Sequence, residues 1–169
     1  AYLGSKLLVL GGLVGVQSVA LLGILGTTVV FPDVGVVWQS FPELFATTFF
    51  SAFAALSLGL AISAAGKTPD RAISAIPLVL VPQILFSGVL FPLGGDASVM
   101  RVLSWLTISR WATDAYGASV HLTRFPPLRG NLDYAFDLAT LQEKWLALGA
   151  HASVYILVTA LLLARREPS

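Results

Sequence analysis

The chain has 169 residues, 56% of them hydrophobic and only 11% charged, with a net charge of +1 and no cysteine. An ordinary soluble domain carries about 25% charged residues, so this composition describes an integral membrane protein. The near-neutral charge gives no electrostatic case for nucleic acid binding, and the lack of cysteine excludes disulfides and thiolate metal sites while leaving the compartment open.

The predicted fold class is all-α: a polytopic membrane bundle of four transmembrane helices, with short interfacial or re-entrant helices in the last extracellular loop. The chain begins at Ala1 and runs almost at once into apolar sequence without the pattern of a signal peptide, which reads as a piece of a larger membrane protein. The first expected span, Leu7–Val30, follows Lys6 and ends at Phe31-Pro32-Asp33. Gly11 and Gly15 form a small-residue pair that lets a second helix approach closely, and Gln17 is expected to hydrogen-bond between helices. The second span, Phe41–Ala65, opens on Ser40-Phe41-Pro42-Glu43, which has the form of a capping box, and ends at Gly66 as a C-cap.

The third span, Ile73–Phe91, is announced by Thr68-Pro69-Asp70, a cap, a proline at the first helical position and an acid in the first turn. Spans two and three should therefore make a tight antiparallel hairpin. Ile73–Pro92 is uncharged, with Pro77 and Pro82 inside it and Gln83, Ser87 and Gly88 behind them. An interior proline costs about 3 kcal/mol in a soluble helix. In a membrane it survives where neighbouring helices or a cavity satisfy the freed backbone groups, so this helix is expected to line a path.

Residues 93–144 form the extracellular loop region. Apolar spacing around Val99–Leu106 predicts one short helix, and Arg110–Leu122 a second, capped by Ser109 and carrying Arg110 and Asp114 at ion-pair spacing. Asp133 and Asp137 read as a solvated face. The last span, Trp145–Ala164, follows Thr140-Leu141-Gln142-Glu143, another capping-box pattern, with Trp145 as an interface anchor. Basic residues are denser in the short segments Lys6, Lys67, Arg71, Arg165 and Arg166, which favours cytoplasmic termini.

Several motifs carry less than they suggest. Ala61–Thr68 matches a loose phosphate-binding loop, but its first residues belong to a membrane helix and only one glycine is present, so a helix end explains it. His121 and His151 fall in different elements without metal-ligand spacing, and a helical hydrogen bond is the expectation for His151. No nucleophile–base arrangement is present.

Lys67–Ala72, then Pro82-Gln83-Ile84-Leu85-Phe86-Ser87-Gly88-Val89-Leu90-Phe91-Pro92, then Trp105-Leu106 and Ile108–Trp111 resemble the membrane domain of ABC-2 type transporters. The resemblance is greatest to the G (White) subfamily and its bacterial relatives fused to ATPase and forkhead-associated domains. Residues 1–169 would then be a partial permease domain, the C-terminal four of six helices. The resemblance implies a homodimeric or heterodimeric exporter in the plasma (inner) membrane, driven by nucleotide-binding domains on the same polypeptide that bind ATP and Mg, with no cofactor in this chain. It implies that Val81, Ile84 and Phe86 line a cavity and that Val89 and Leu90 form a valve after Ser87-Gly88, with Pro77, Pro82 and Gly88 shaping the helix. Val-Leu stands where the family has two leucines. A hydrophobic or amphipathic substrate follows from that cavity. The alternative is a non-transporting membrane scaffold or assembly subunit.

Overall fold

The computed structural model describes residues 2–66, 68–89, 99–124 and 132–165, and these are mostly helical, with no strand among them. Six α-helices appear in chain order: α1 Tyr2–Leu25, α2 Ser40–Ala65, α3 Pro69–Leu85, α4 Val99–Ser104, α5 Ile108–Ser119 and α6 Leu138–Ala164. Short 3-10 turns occupy Leu122–Arg124 and Leu132–Tyr134. Among the described residues three helices, α1, α2 and α6, are long and apolar enough to cross a membrane, which makes the chain a multi-pass membrane protein.

α2 is the centre of the bundle. It packs parallel to α6, with α1 antiparallel on another side and α5 wedged between α2 and α6. The contacts at its two ends fix this geometry. Trp145 Nε1, near the start of α6, donates to Thr47 Oγ1 near the start of α2 at 3.0 Å. At the other end Leu3 and Lys6 of α1, Leu60 and Ser63 of α2, and Thr159 and Leu163 of α6 gather around one small cavity. The core joins Ala54, Ile108, Leu148 and Ala152, with Phe53, Trp111 and Tyr155 packed on it.

The expected glycine pair acts through aromatic rings. A side chain at Gly11 would come within 3.2 Å of the Phe53 ring, and one at Gly15 within 3.8 Å of Phe49, so these positions let α1 lie against the Phe45, Phe49 and Phe53 stack. Gln17 faces outward and makes no hydrogen bond among the described residues, so the interhelical bond expected of it does not form within this chain.

Helix ends differ from the sequence expectation for local reasons. α1 starts at Tyr2 and stops at Leu25, short of Val30, because Thr27 and Thr28 turn their hydroxyls back onto the carbonyls of Ile24 and Leu25. Ser40 and Glu43 make no capping box. Gln39 occupies the N-cap, and the buried Glu43 carboxylate instead accepts from the backbone N–H groups of Val36 and Val37 at 3.1 and 2.9 Å. Gly35 passes so close to that carboxylate that a Cβ there would lie 2.7 Å from Oε2. Gly66 does follow α2, but with an extended φ of −65°; its lack of a side chain serves the hairpin, since a Cβ would meet Ala72 at 2.8 Å. Asp137 replaces Thr140 as the cap of α6, its carboxylate accepting from the Thr140 N–H and hydroxyl, so the helix begins at Leu138 rather than Trp145. That backbone bond holds the Asp137 carboxyl below its ordinary range.

Candidate functional site

The helix singled out by the sequence is α3. It runs Pro69–Leu85, with Pro69 in its first turn and Pro77 and Pro82 inside it. At 1.5 Å per residue its 17 residues span about 26 Å. It begins earlier than Ile73 because Pro69 and Asp70 suit a first turn, although the Thr68 hydroxyl makes no cap bond. It ends before Phe91 because Phe86–Val89 fold into a turn. Phe86 N–H donates to Pro82, Ser87 donates through both its N–H and its hydroxyl to Ile84, and Gly88 has φ 82°, a left-handed conformation that glycine adopts without penalty.

Not one residue of α3 is buried within its own chain. Val81 and Ile84 are 53% and 55% exposed, Phe86 is half-buried and Val89 is exposed. Pro77 is exposed and Pro82 half-buried. Leu90, the second residue of the expected valve pair, lies outside the described residues. The two prolines lack N–H groups, so the carbonyls of Ile73 and Leu78 lose their helical donors. A helix this apolar, this exposed and this interrupted has an unpartnered surface.

One end of α3 is nonetheless anchored. Helix α5 begins at Ile108 with Thr107 as its N-cap residue, so Ser109 is not the cap the sequence suggested but lies in the first turn. From there its N–H donates to Gln83 Oε1 at 3.1 Å, and its hydroxyl bonds both Gln83 Oε1 and the Gln83 backbone carbonyl. That carbonyl is free to accept because Ser87 N–H turns to Ile84 instead. Thr107 Oγ1 reaches the Phe86 carbonyl at 3.5 Å. The last turn of α3 is therefore tied to the first turn of α5, a link across 26 residues that no local pattern announces.

Behind this link lies a buried charge cluster. Arg110, 2% exposed, donates from Nε to Asp114 at 3.3 Å and from Nη1 to Ser104 Oγ at 2.7 Å, and its Nη2 lies 3.5 Å from Asp133 Oδ1. Arg101 pairs with the same Asp133 oxygen at 2.9 Å. The Arg110–Asp114 spacing was legible in the sequence. Asp133, expected on a solvated face, is instead the bridge between two arginines. Burial first, then the Asp133 charge, pushes the Asp114 carboxyl up to about 6 against the pull of Arg110 and Lys144. Lys144 sits over the Trp111 ring at 5.3 Å and pairs with Glu143 at 3.2 Å. Tyr116 shares a 2.7 Å hydrogen bond with Thr48, while burial raises its phenol above the ordinary range. His151 Nδ1 contacts the Ala147 carbonyl at 2.8 Å, the helical hydrogen bond expected of it.

Ala61–Ala65 form the last turns of α2, with their backbone N–H groups spent inside the helix rather than turned round a phosphate. What the arrangement offers is a wall: an apolar helix held at one end by a polar and charged brace and presenting its sides outward.

The family model for ABC-2 type transporters matches residues 2–119. The ABC transporter ATP-binding/permease protein Rv1747 of Mycobacterium tuberculosis (strain ATCC 25618 / H37Rv) is 33% identical over 129 residues, which cover 75% of this chain and 15% of that protein. The chain thus spans a small part of its curated relative. No solved structure matches it.

Proposed function

The chain belongs to the ABC-2 type transporter family, and from that premise we propose that it is membrane permease sequence of an ATP-driven exporter, contributing half of a dimeric path for a hydrophobic or amphipathic substrate. ATP and Mg would be handled on a nucleotide-binding domain outside this chain, as the name of the mycobacterial relative suggests. The protein would reside in the plasma (inner) membrane, with the ends of this segment on the cytoplasmic side.

The observation that carries this reading is the surface of α3. A long apolar helix with no buried residue in its own chain needs another surface, and a second copy across a two-fold axis supplies one. Val81, Ile84 and Phe86 would face the shared cavity, and Val89 with Leu90 would close it. A dry apolar constriction stops water and ions until the two halves part, and rigid-body movement of one half against the other gives alternating access. Pro77, Pro82 and Gly88 would set the shape of the moving wall.

The test is Leu90→Ala in the full-length protein in nanodiscs. The expected result is a change of several-fold in substrate-stimulated ATP hydrolysis or in export, with assembly intact. Unchanged export and unchanged ATPase would remove the valve and favour a non-transporting scaffold.

A further inference from the structure

A second apolar site lies between α3 and its neighbours in the chain. A cavity of about 390 Å³ opens between α2, α3 and α5, with Gly59, Ile76, Leu80 and Gln83 among its walls. Gly59, Ile62 and Ile76 also line an adjoining cavity of about 310 Å³ that continues to Ile73 and Pro69. The two form one groove along the helix. Ile76, Leu80 and Gln83 share a helical face, whereas Val81 lies roughly 140° round the axis from Ile76. Ile84 follows Leu80 by one turn, about 40° round the axis, so the groove borders the surface assigned above to the dimeric path at Ile84 and faces away from it at Val81; it does not depend on that assignment.

Three properties of the groove define its occupant. It is elongated: Ile73 to Gln83 is ten residues, about 15 Å, half of a hydrocarbon core of about 30 Å. Its walls are almost wholly apolar. Ser51, Gln83 and Ser109 line the cavity nearer α5, and Ser63 lines the adjoining one. Gln83 is oriented by its neighbour. The Ser109 backbone N–H can only donate, so the atom it meets at 3.1 Å must be the amide oxygen. The Gln83 amide nitrogen then faces away, with two N–H donors that find no acceptor among the described residues. Pockets of this kind, apolar with a few convergent polar groups, are the usual form of a small-molecule site.

We propose that this groove binds one acyl chain of a bilayer lipid from the leaflet on the α5 side, with the carbonyl at the polar end of that chain accepting from the Gln83 amide. A single chain has the length of one leaflet, needs no charge in the groove, and carries an ester oxygen at the depth where the donors lie. Bilayer lipid is also the most abundant apolar ligand available to a helix in this position.

The structure supplies variants that separate this site from ordinary lipid contact. A Cβ at Gly59 meets nothing within 4 Å, so Gly59→Phe places a ring in the groove from an open position, and Gly149→Phe on α6, equally open at its Cβ, serves as the control. Gln83→Glu keeps an oxygen for Ser109 and removes the N–H donors. The full-length protein is placed in phosphatidylcholine nanodiscs containing a diazirine-bearing acyl chain, irradiated, and mapped by peptide mass spectrometry. Labelling is expected at 58–62 and 76–80 at several times the level on the exposed face of α1 around Leu8 and Val16. Gly59→Phe should reduce it at least five-fold, Gln83→Glu about three-fold, and Gly149→Phe not at all. Equal labelling of α1 and the groove would mean bulk lipid contact only and overturn the proposal. An unlabelled groove beside a labelled α1 would mean that another protein segment fills it, which also overturns it. Labelling unaffected by Gln83→Glu would remove the carbonyl contact.

Discussion

Arg110 and Asp114 sit in a 12-residue helix, too short to cross a membrane, yet both are almost completely buried. A buried carboxylate is tolerated only with partners, and Asp114 must share its arginine with Asp133 while feeling the repulsion of that second acid. The result is a carboxyl that titrates near 6 rather than 3.8. With the folded value raised, the folded state holds more protons than the unfolded state between 3.8 and 6, so this residue destabilises the fold when ionised, and that penalty fades as the pH falls through 6. Relative to Asp114→Asn, the wild-type protein should therefore gain on the order of 1 kcal/mol between pH 7.5 and pH 5. Apparent melting temperatures of both proteins in detergent across that range measure it, and a constant difference between them would contradict the burial of an ionisable Asp114. Arg110 was visible from sequence as half of an i,i+4 pair. Its burial was not, because Asp133 and Ser104 come from other segments.

At the scale of elements, the coupling between α3 and α5 is the least expected feature. The composition of α3 revealed a membrane-length apolar segment, and its prolines and Ser-Gly pair revealed that it would not be a uniform helix. They did not reveal where it ends, because the end depends on Ser109 taking the Gln83 carbonyl and on the turn at Gly88. The same limit explains the caps. Ser40 with Glu43 has the spacing of a capping box, but two backbone donors at Val36 and Val37 compete for the carboxylate and win, since two bonds from fixed N–H groups outweigh one reach-back bond. Local patterns identified the helices; tertiary partners set their boundaries. If Gln83 and Ser109 act as one latch, their effects should be non-additive. Gln83→Leu and Ser109→Ala should each lower stability, and the double variant should lose less than the sum, with a coupling of about 1 kcal/mol. A double-mutant cycle on thermal unfolding measures this, and additive losses would show that the two residues act separately.

Across the whole molecule, burial is distributed unevenly. α2 is surrounded by α1, α5 and α6, with Ala54 and Ser57 fully enclosed, whereas α3 touches the rest through its anchored end and a sparse seam with α2. Stability of the chain and association with a second copy should therefore respond to different residues. Ala54 has no room, so Ala54→Leu overpacks the centre and should cost about 1–3 kcal/mol. Val81 and Ile84 are each more than half exposed, so Val81→Asn and Ile84→Asn remove little internal contact and should change fold stability by about 0.5 kcal/mol or less. The same two substitutions would place polar amides in an apolar contact between copies, where an unpaired buried amide costs about 1–3 kcal/mol, and should shift the full-length protein in detergent toward monomer. Thermal unfolding and size-exclusion light scattering on the same samples separate the two effects. Loss of fold stability at Val81 and Ile84 equal to that at Ala54 would mean that α3 is held by its own chain. Dimerisation untouched by both would place the contact between copies elsewhere.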